Sequence, residues 1–344
     1  MIIAWAYLAF LSIWIVLQKI FRDRFWWLGL MNSLSFYWLL PTLFLLPYAI
    51  FVRHLYLIDF SCFALAIMMI RHGKYLLPRH QPIHANGDAK CLRIMTYNLL
   101  QSNGCIPEII KVILNSKADI IFFQEMNQKV EDGLKGNLSS HYPYQVYGMK
   151  TEPTKIARNS IFSKYPLNQL DSIIRGTWAS LPQICRLMFQ DRMIHVINIH
   201  AYPHKIGTAN LSQIANSHQL REIANREIIA YIDKINDPLI IAGDFNTTDQ
   251  NYAYQIMRTR LIDAWREIGW GLGHSFGLRR DTFSNRKLPT FILNLLPKWL
   301  VRIDFVFHSK EWTATKAKMG QWDGLSDHRP IIVDLVLKDA KTMP

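Results

Sequence analysis

The sequence predicts an α/β domain of layered sheets preceded by membrane-spanning helices. Apolar residues dominate the first 74 of the 344 residues, whereas the remainder has the composition of an ordinary globular protein. From Cys91 onward, short apolar runs alternate with segments of helical spacing, a pattern typical of sheets layered with helices. We therefore expect an anchor at 1–74, a linker rich in Pro, Gly and polar residues at 75–90, and a globular domain at 91–340.

The first 74 residues contain three apolar runs, at positions 2–18, 25–52 and 55–70. A bilayer core is crossed by about 20 mostly apolar residues in a helix, because unpaired backbone groups are costly in lipid. Pro41 and Pro47 lie inside the second run and predict a kink or an early helix end there. We expect about three transmembrane helices; two spans plus an interfacial helix, or a buried soluble hairpin, are the alternatives.

The distribution of basic residues predicts an orientation. With three spans, the loop at 19–24 and the segment after residue 70 lie on the same side, and both are rich in Lys and Arg. Cytoplasmic loops carry such an excess, so we expect a multi-pass integral membrane protein with its globular domain in the cytoplasm. The net charge of +13, most of it after residue 74, suits an anionic partner: an acidic membrane surface, a phosphorylated substrate or nucleic acid. The four cysteines lack zinc-site spacing, and no protein partner is predicted.

Polar residues stand at the ends of the predicted strands of the globular domain. These strands cover 92–97, 120–123, 194–199, 239–242, 303–307 and 331–335, with helices at 106–115 and 209–235. Sites are commonly built where strands end on a rigid scaffold. The polar residues at or near these ends are Asn98, Glu125, His200, Asp244, Asn246, Asp304, Asp327 and His328. We expect them to form one site.

The motifs around these residues read TYNL, QE, NIH, GDFN, RID and SDHRP, in that order. This ordered set, over positions 92–337, resembles the endonuclease/exonuclease/phosphatase superfamily, which includes deoxyribonuclease I, abasic-site endonucleases, sphingomyelinases and inositol polyphosphate phosphatases. The resemblance implies a four-layer α/β sandwich of the deoxyribonuclease I type, with two facing sheets. It also implies a metal-dependent phosphoric ester hydrolase.

The resemblance implies a metal site formed by oxygen ligands. Glu125 would be the principal Mg²⁺ ligand, with Asn98 beside it and Asp327 adding a contact to the ion or its water. A hard divalent ion suits this chemistry because it neutralises charge on phosphoryl oxygens. Mn²⁺ also accepts oxygen ligands, so the sequence does not separate the two ions.

The resemblance assigns the remaining residues to catalysis. Asp244 would orient water or protonate the leaving group, and Asn246 would hydrogen-bond a phosphoryl oxygen or the attacking water. His200 would hold another phosphoryl oxygen. His328 would carry the catalytic imidazole, as a base or as a transition-state stabiliser, with Asp304 fixing its tautomer and raising its pKa.

Two features bear on the substrate. The chain lacks a long basic loop with interleaved aromatics for duplex binding, and the basic, apolar stretch at 279–299 suits either lipid headgroups or an ordinary surface loop. The anchor and the Gly-rich piece at 269–273 resemble bacterial membrane proteins related to the teicoplanin-resistance phosphatase. That branch acts on isoprenyl pyrophosphate carriers, outside the cytoplasm, which conflicts with the charge bias.

These features favour hydrolysis of a phosphate ester or pyrophosphate in a membrane lipid, of the isoprenyl pyrophosphate, sphingomyelin or phospholipid type. The lipid bilayer itself would then be a partner of the anchor. The alternative is a membrane-tethered nuclease acting on DNA or RNA, which the basic charge of the globular part would suit.

Overall fold

The structure, a computed structural model, describes residues 1–77, 91–149, 157–203, 211–277 and 297–338, with the backbone alone for 211–215. Its N-terminal part is a helical bundle. The helices are α1 (Ile2–Phe21), α2 (Trp26–Ser33), α3 (Ser35–Leu39), α4 (Thr42–Phe51) and α5 (Leu55–Leu76). The helices α1 and α5 are each long and apolar enough to cross a membrane.

The second apolar run bends sharply, but away from its prolines. Helix α2 and the continuous stretch of α3 and α4 are long and apolar enough to cross a membrane only when they are taken together. The chain bends by 71° between them. The bend lies at Leu34, whereas Pro47 lies inside α4. Helix α3 does end just before Pro41, where the missing N–H of proline is tolerated at the start of α4. By length and composition, the described residues therefore contain two helices that could cross a membrane, or three such segments if the bent pair counts as one.

Helices α1 and α5 run in the same direction, toward the globular domain. At the far end the Trp5 ring packs edge-on against His54, with ring centroids 5.8 Å apart. At the near end the guanidinium of Arg71 donates to the side-chain oxygen of Gln18. The C-terminal ends of both helices therefore lie beside the globular domain.

The globular part contains two six-stranded sheets. The first has the strand order β11-β12-β1-β2-β4-β3 and the second β5-β6-β7-β8-β10-β9. The strands are β1 (Cys91–Asn98), β2 (Ile120–Asn127), β3 (Tyr144–Tyr147), β4 (Ala157–Ser163), β5 (Leu167–Gln169), β6 (Trp178–Phe189), β7 (Arg192–Ala201), β8 (Leu239–Asp244), β9 (Ile262–Asp263), β10 (Asp304–His308), β11 (Trp312–Met319) and β12 (Ile331–Leu337). All six predicted strands are present.

Helices cover the outer face of each sheet. They are α6 (Ile106–Ser116) and α7 (Gln128–Leu138) on the first sheet, α8 (Leu211–Ile232) and α9 (Tyr252–Met257) on the second, and α10 (Ala264–Ile268) near the end of β10. Successive side chains of a strand point to opposite faces. Ile94 therefore joins the core between the sheets while Met95 packs toward α6 and α7, and Val196 and Ile197 divide likewise on the second sheet. This arrangement confirms the four-layer α/β sandwich.

The end of α5 is buried in the globular domain. Helix α5 continues to Leu76, two residues into the segment predicted as a linker, because Tyr75 is 2% exposed and belongs to the core between the sheets. The carbonyl of Tyr75 accepts from the Gly271 amide at 2.8 Å, and its hydroxyl accepts from Arg266 Nε at 2.6 Å. The rest of the predicted linker, 78–90, lies outside the described residues.

The turn between α1 and α2 also docks on the globular domain. Asp23, which is 1% exposed, accepts from Asn32 Nδ2 at 2.8 Å, from Asn251 Nδ2 at 3.1 Å and from the Tyr252 amide. Helix α2 lies directly on α8, so that a Cβ at Gly29 would come within 2.4 Å of the His218 ring of α8. The bundle and the sandwich are therefore packed against each other through buried polar contacts.

Candidate active site

The carboxylate of Asp244 is the centre of a polar cluster between the two sheets. Its Oδ2 atom accepts from Asn98 Nδ2 at 3.0 Å and from Asn246 Nδ2 at 3.3 Å. The Nε2 atoms of His200 and His328 each lie 3.7 Å from the same oxygen. Asn98 ends β1 and Asp244 ends β8, so the cluster forms where strand ends of the facing sheets meet.

The backbone around Asp244 holds this geometry. Asn246 has φ of 47°, an uncommon value for a non-glycine residue, and its amide donates to Asp244 Oδ1 at 2.8 Å. Gly243 has φ of 147°, and a Cβ there would come within 2.0 Å of the Ile199 carbonyl oxygen. A glycine is therefore required directly before Asp244.

Glu125 borders the cluster on the side of the first sheet. Its φ is 58°, within an irregularity of the β2–β4 pairing, so the side chain leaves the regular alternation of the strand. Its carboxylate accepts from Asn98 Nδ2 at 3.2 Å and from the Gln101 amide at 2.8 Å, and lies 3.6 Å from His200 Nε2. Burial raises the pKa of Glu125, but the His200 charge and these hydrogen bonds outweigh it and lower the pKa overall. Glu125 is therefore ionised.

A buried Asp–His pair forms the opposite side of the cluster. His328 Nδ1 lies 2.8 Å from Asp304 Oδ2, and both side chains are at most 5% exposed. Burial lowers the pKa of His328, but the charges of Asp304 and Asp244 and the hydrogen bond to Asp304 raise it to about 10. The His328 ring is therefore an imidazolium at neutral pH. The Phe276 ring packs on it, with centroids 5.0 Å apart.

The pKa of Asp244 is shifted in the opposite sense to that of Glu125. Burial raises it first, the charge of Asp304 adds to the rise and His328 opposes it, which leaves the pKa of Asp244 at about 7. A carboxyl group with this pKa exchanges a proton readily at neutral pH.

All eight predicted site residues lie in this one cluster. Asp327 joins it through His328, whose Nε2 atom lies 4.0 Å from Asp327 Oδ1. Most of the basic, apolar stretch, 279–296, lies outside the described residues.

Three further residues of the motifs support the cluster, although they were not singled out from the sequence. Gln124 Nε2 donates to Asn198 Oδ1 at 2.8 Å, and Asn198 Nδ2 donates to the Phe123 carbonyl at 2.9 Å, which links the two sheets. Ser326 Oγ donates to the Asn98 carbonyl at 2.8 Å and accepts from the His328 amide at 3.0 Å. Their positions in the QE, NIH and SDHRP motifs were the available signal.

Two groups of side chains offer metal ligands. Ligand atoms of Asp244, Asp304 and His328 lie within 4.8 Å of one another, but the hydrogen bond between Asp304 and His328 occupies one atom of each. Glu125 instead offers an ionised carboxylate, and its side chain is 25% exposed. Hard divalent ions prefer such oxygen ligands, so Glu125 and its neighbours fit the ion better than the Asp–His pair. In the present orientation the Asn98 nitrogen donates to Glu125 and Asp244, and its oxygen accepts from the Leu100 amide at 3.0 Å. The Asn98 amide would therefore have to turn over and give up these contacts to become a ligand.

The two facing sheets and this cluster of carboxylates, amides and histidines at the strand ends define the class of metal-dependent phosphoesterases. The sequence model of the Endonuclease/Exonuclease/phosphatase family matches residues 95–328, and the chain belongs to this family. Family members hydrolyse phosphoester bonds with a divalent metal ion, and the chain is accordingly a metal-dependent phosphoric ester hydrolase.

Similar proteins include a UPF0294 protein of Vibrio vulnificus strain CMCP6, which is 25% identical over 256 residues, 73% of this chain and 78% of the relative. Among solved structures, an endonuclease/exonuclease/phosphatase from Bacteroides vulgatus has a TM-score of 0.52 at 18% identity, covering 72% of this chain and all of that one. D. rerio TDP2 complexed with a single-strand DNA product has a TM-score of 0.53 at 16% identity, covering 72% and 99%. At these identities the two structures show the fold alone.

Proposed function

We propose that the protein is a membrane-anchored phosphoesterase that hydrolyses a phosphate ester or pyrophosphate in a membrane lipid, with Mg²⁺ as its ion. Isoprenyl pyrophosphates, sphingomyelin and phospholipids are the substrate classes that the family and the anchor together favour. The anchor raises the local concentration of the catalytic domain toward such substrates.

The contact between the anchor and the catalytic cleft carries this proposal. The Tyr37 hydroxyl of α3 donates to the Leu300 carbonyl at 2.9 Å, and the Leu300 amide donates to the Phe276 carbonyl at 2.9 Å. The Phe276 ring packs on His328. Three contacts therefore connect an anchor helix to the imidazolium of the site. Such packing would hold the cleft close to the bilayer surface, which suits a substrate whose phosphate lies at that surface.

The proposed metal site uses Glu125 as the principal ligand, with Asn98 and Asp327 as further oxygen donors. When bound, the ion would neutralise charge on the phosphoryl oxygens. Glu125 is prepared for this role because it is ionised and its side chain is partly open to solvent.

In the proposed reaction Asp244, with a pKa of about 7, orients the attacking water or passes a proton to the leaving oxygen. Asn246 fixes the Asp244 carboxylate and hydrogen-bonds the water or a phosphoryl oxygen. His200 and the imidazolium of His328 bind phosphoryl oxygens, and Asp304 keeps the His328 proton on Nδ1. The positive imidazolium suits stabilisation of the negatively charged transition state better than removal of a proton.

A membrane-tethered nuclease is the second candidate. The net charge of +13 favours it, because Lys and Arg that neutralise phosphates dominate nucleic-acid affinity. Solved TDP2 with a single-strand DNA product shares the fold. The affinity of a nuclease for DNA or RNA would fall steeply as the salt concentration rises. Turnover of a lipid substrate would instead depend on its presentation in micelles.

The proposed cytoplasmic orientation rests on the charge bias alone and is tested at Cys91. This cysteine is exposed on the catalytic domain. The test uses a variant whose only cysteine is Cys91 and a maleimide that cannot cross the membrane. With the catalytic domain in the cytoplasm, the reagent should label this variant in permeabilised cells and not in intact cells. Labelling of intact cells would place the catalytic domain outside, as in the teicoplanin-resistance branch.

The substrate test offers purified full-length protein polyprenyl pyrophosphate, sphingomyelin, glycerophospholipids, plasmid DNA and RNA, each with Mg²⁺ and with EDTA. Lipid turnover that requires Mg²⁺ and disappears in Asp244→Ala supports the proposal. Turnover of nucleic acid alone refutes it in favour of the nuclease.

A further inference from the structure

A cavity of about 420 Å³ lies where the ends of α1 and α5 meet the catalytic domain. Its cationic lining comes from three elements: Lys19 and Arg22 at the end of α1, Arg71 in the last two turns of α5, and Arg266 of α10. None of the eight catalytic and metal-site residues lines it. The cavity is therefore separate from the active site.

The two carboxylates of this cavity are already engaged by other groups. Asp23 accepts from two asparagine side chains and a backbone amide. Asp249 forms ion pairs with Arg302 at 3.2 Å and with Arg266 at 3.5 Å. In the part of the chain that the structure describes, Lys19, Arg22 and Arg71 form no ion pair within 4 Å of a carboxylate, although the Glu222 charge interacts with Arg22 at longer range. The cavity therefore retains an excess of positive charge.

Two of these cations are held in place by aromatic and amide partners. The Arg22 guanidinium lies 3.9 Å from the centroid of the Tyr252 ring, and the Arg71 guanidinium lies 5.0 Å from the Trp14 ring. Arg71 also donates to the side-chain oxygen of Gln18. These contacts orient the guanidinium groups without neutralising them.

Apolar side chains next to the cavity point to a lipid rather than a free anion. Ile70 lines the cavity and is 76% exposed, and Ile20 on α1 is 64% exposed. Both belong to helices that are apolar enough to cross a membrane. A basic pocket at the ends of spanning helices would receive an anionic headgroup while the acyl chains lie along the apolar helix surfaces.

We propose that this cavity binds the phosphate headgroup of an anionic phospholipid, separately from catalysis. The proposal rests on the membrane placement in the proposed function, but not on any enzymatic activity. The bound lipid would bridge α1, α5 and α10, and would thereby stabilise the docking of the anchor on the catalytic domain.

The experiment measures thermal unfolding of the full-length protein in dodecyl maltoside and EDTA, so that no turnover occurs. Phosphatidylglycerol, phosphatidylcholine with the same chains, and inorganic phosphate are titrated separately. Phosphatidylglycerol should raise the unfolding midpoint saturably, because a ligand that binds only the folded state stabilises it. Phosphatidylcholine and inorganic phosphate should leave it unchanged. An equal shift with phosphatidylcholine overturns the headgroup claim, and an equal shift with inorganic phosphate overturns the lipid claim.

Variants locate the site. Each basic residue near anionic lipid contributes about 1 kcal/mol, or roughly fivefold in affinity. The half-saturating phosphatidylglycerol concentration should therefore rise roughly fivefold in Lys19→Gln and about 25-fold in Lys19→Gln/Arg71→Gln. Lys19 is exposed, so its single variant should fold normally even if the double variant does not.

Arg53→Gln is the matched control, since this residue lies at the opposite end of the anchor, between α4 and α5. Its half-saturating concentration should match wild type within twofold. Equal weakening by Arg53→Gln would instead mean diffuse attraction and refute the site. Weakening by His200→Ala, with Lys19→Gln unchanged, would place the lipid in the active site and also refute it.

Discussion

Replacing Asp304 with asparagine tests the role of the buried Asp–His pair. Asp304 Oδ2 lies 2.8 Å from His328 Nδ1, and neither side chain is more than 5% exposed. An amide at this position carries no charge and can turn its NH₂ group toward Nδ1. The ring would then lose its Nδ1 proton and its positive charge, and its remaining proton would lie on Nε2.

The magnitude follows from the pKa of His328. Its rise from 6.5 to about 10 corresponds to roughly 5 kcal/mol in favour of the imidazolium, and Asp304 is the largest charged contributor. If Asp304 supplies half of this, the variant loses roughly 2–3 kcal/mol of stabilisation for a charged transition state. That loss corresponds to a fall in kcat of about 10²-fold.

The assay compares kcat and its pH profile for wild type, Asp304→Asn and the control Asp233→Asn. Asp233 forms an exposed ion pair with Arg260, which contributes little to stability or function. We expect the control to match wild type and Asp304→Asn to lose activity while it remains folded at the assay temperature. An Asp304→Asn enzyme with kcat within threefold of wild type and an unchanged pH profile would show that Asp304 does not maintain the charge of His328 during catalysis.

Three further predictions concern metal binding, pH and docking of the anchor. Glu125→Gln should raise the Mg²⁺ concentration for half-maximal activity by about 10–100-fold, as expected for loss of a charged contact of roughly 1.5–3 kcal/mol. The control Glu108→Gln, at an exposed position on α6, should leave that concentration unchanged. The same Mg²⁺ dependence in both variants would exclude Glu125 as the ligand. In EDTA, the raised pKa of His328 contributes stability that is fully present below pH 6.5 and is lost as the pH rises through about 10. The free energy of unfolding of wild type should therefore fall more over that pH window than the free energy of unfolding of His328→Gln. An equal fall in both proteins would contradict this. Asp23→Ala should destabilise the protein by about 1–3 kcal/mol, because the buried Tyr252 amide loses its acceptor while the Asn32 and Asn251 amides each keep one other acceptor. An unfolding midpoint within about 1 °C of wild type would argue against the docked interface.

Local apolar patterns predict six of the strands, and the resemblance carried by the motifs implies the sandwich that the structure confirms. The eight expected site residues lie together at the strand ends. Strands such as β8 are continuous apolar runs that end in a polar residue, here Asp244. A buried polar residue at that position indicates a functional role rather than a packing role. Parallel β7 and β8 bring His200 beside Asp244 in register. Once these strands are assigned, the cluster follows from the topology of the fold.

The sequence does not predict the bend at Leu34 or the burial of Tyr75. Both depend on contacts between residues far apart in the chain, such as Asp23 with Asn251 and Tyr75 with Gly271. By hydropathy, α2 belongs to one long apolar run. Hydropathy contains no information on the close packing of α2 against α8 that Gly29 allows. The short strands β3, β5 and β9 were missed because two to four residues carry too little pattern. The longer β6 and β11 were missed because polar residues interrupt their apolar runs.

Whether the protein is a membrane-lipid phosphoesterase is tested most directly by phosphate or headgroup release from lipid and nucleic-acid substrates by the full-length protein, with Asp244→Ala assayed beside it. We expect turnover of a membrane lipid that requires Mg²⁺, is abolished by EDTA and falls by several orders of magnitude in Asp244→Ala. Turnover confined to DNA or RNA, or lipid turnover that Asp244→Ala leaves unchanged, would contradict it.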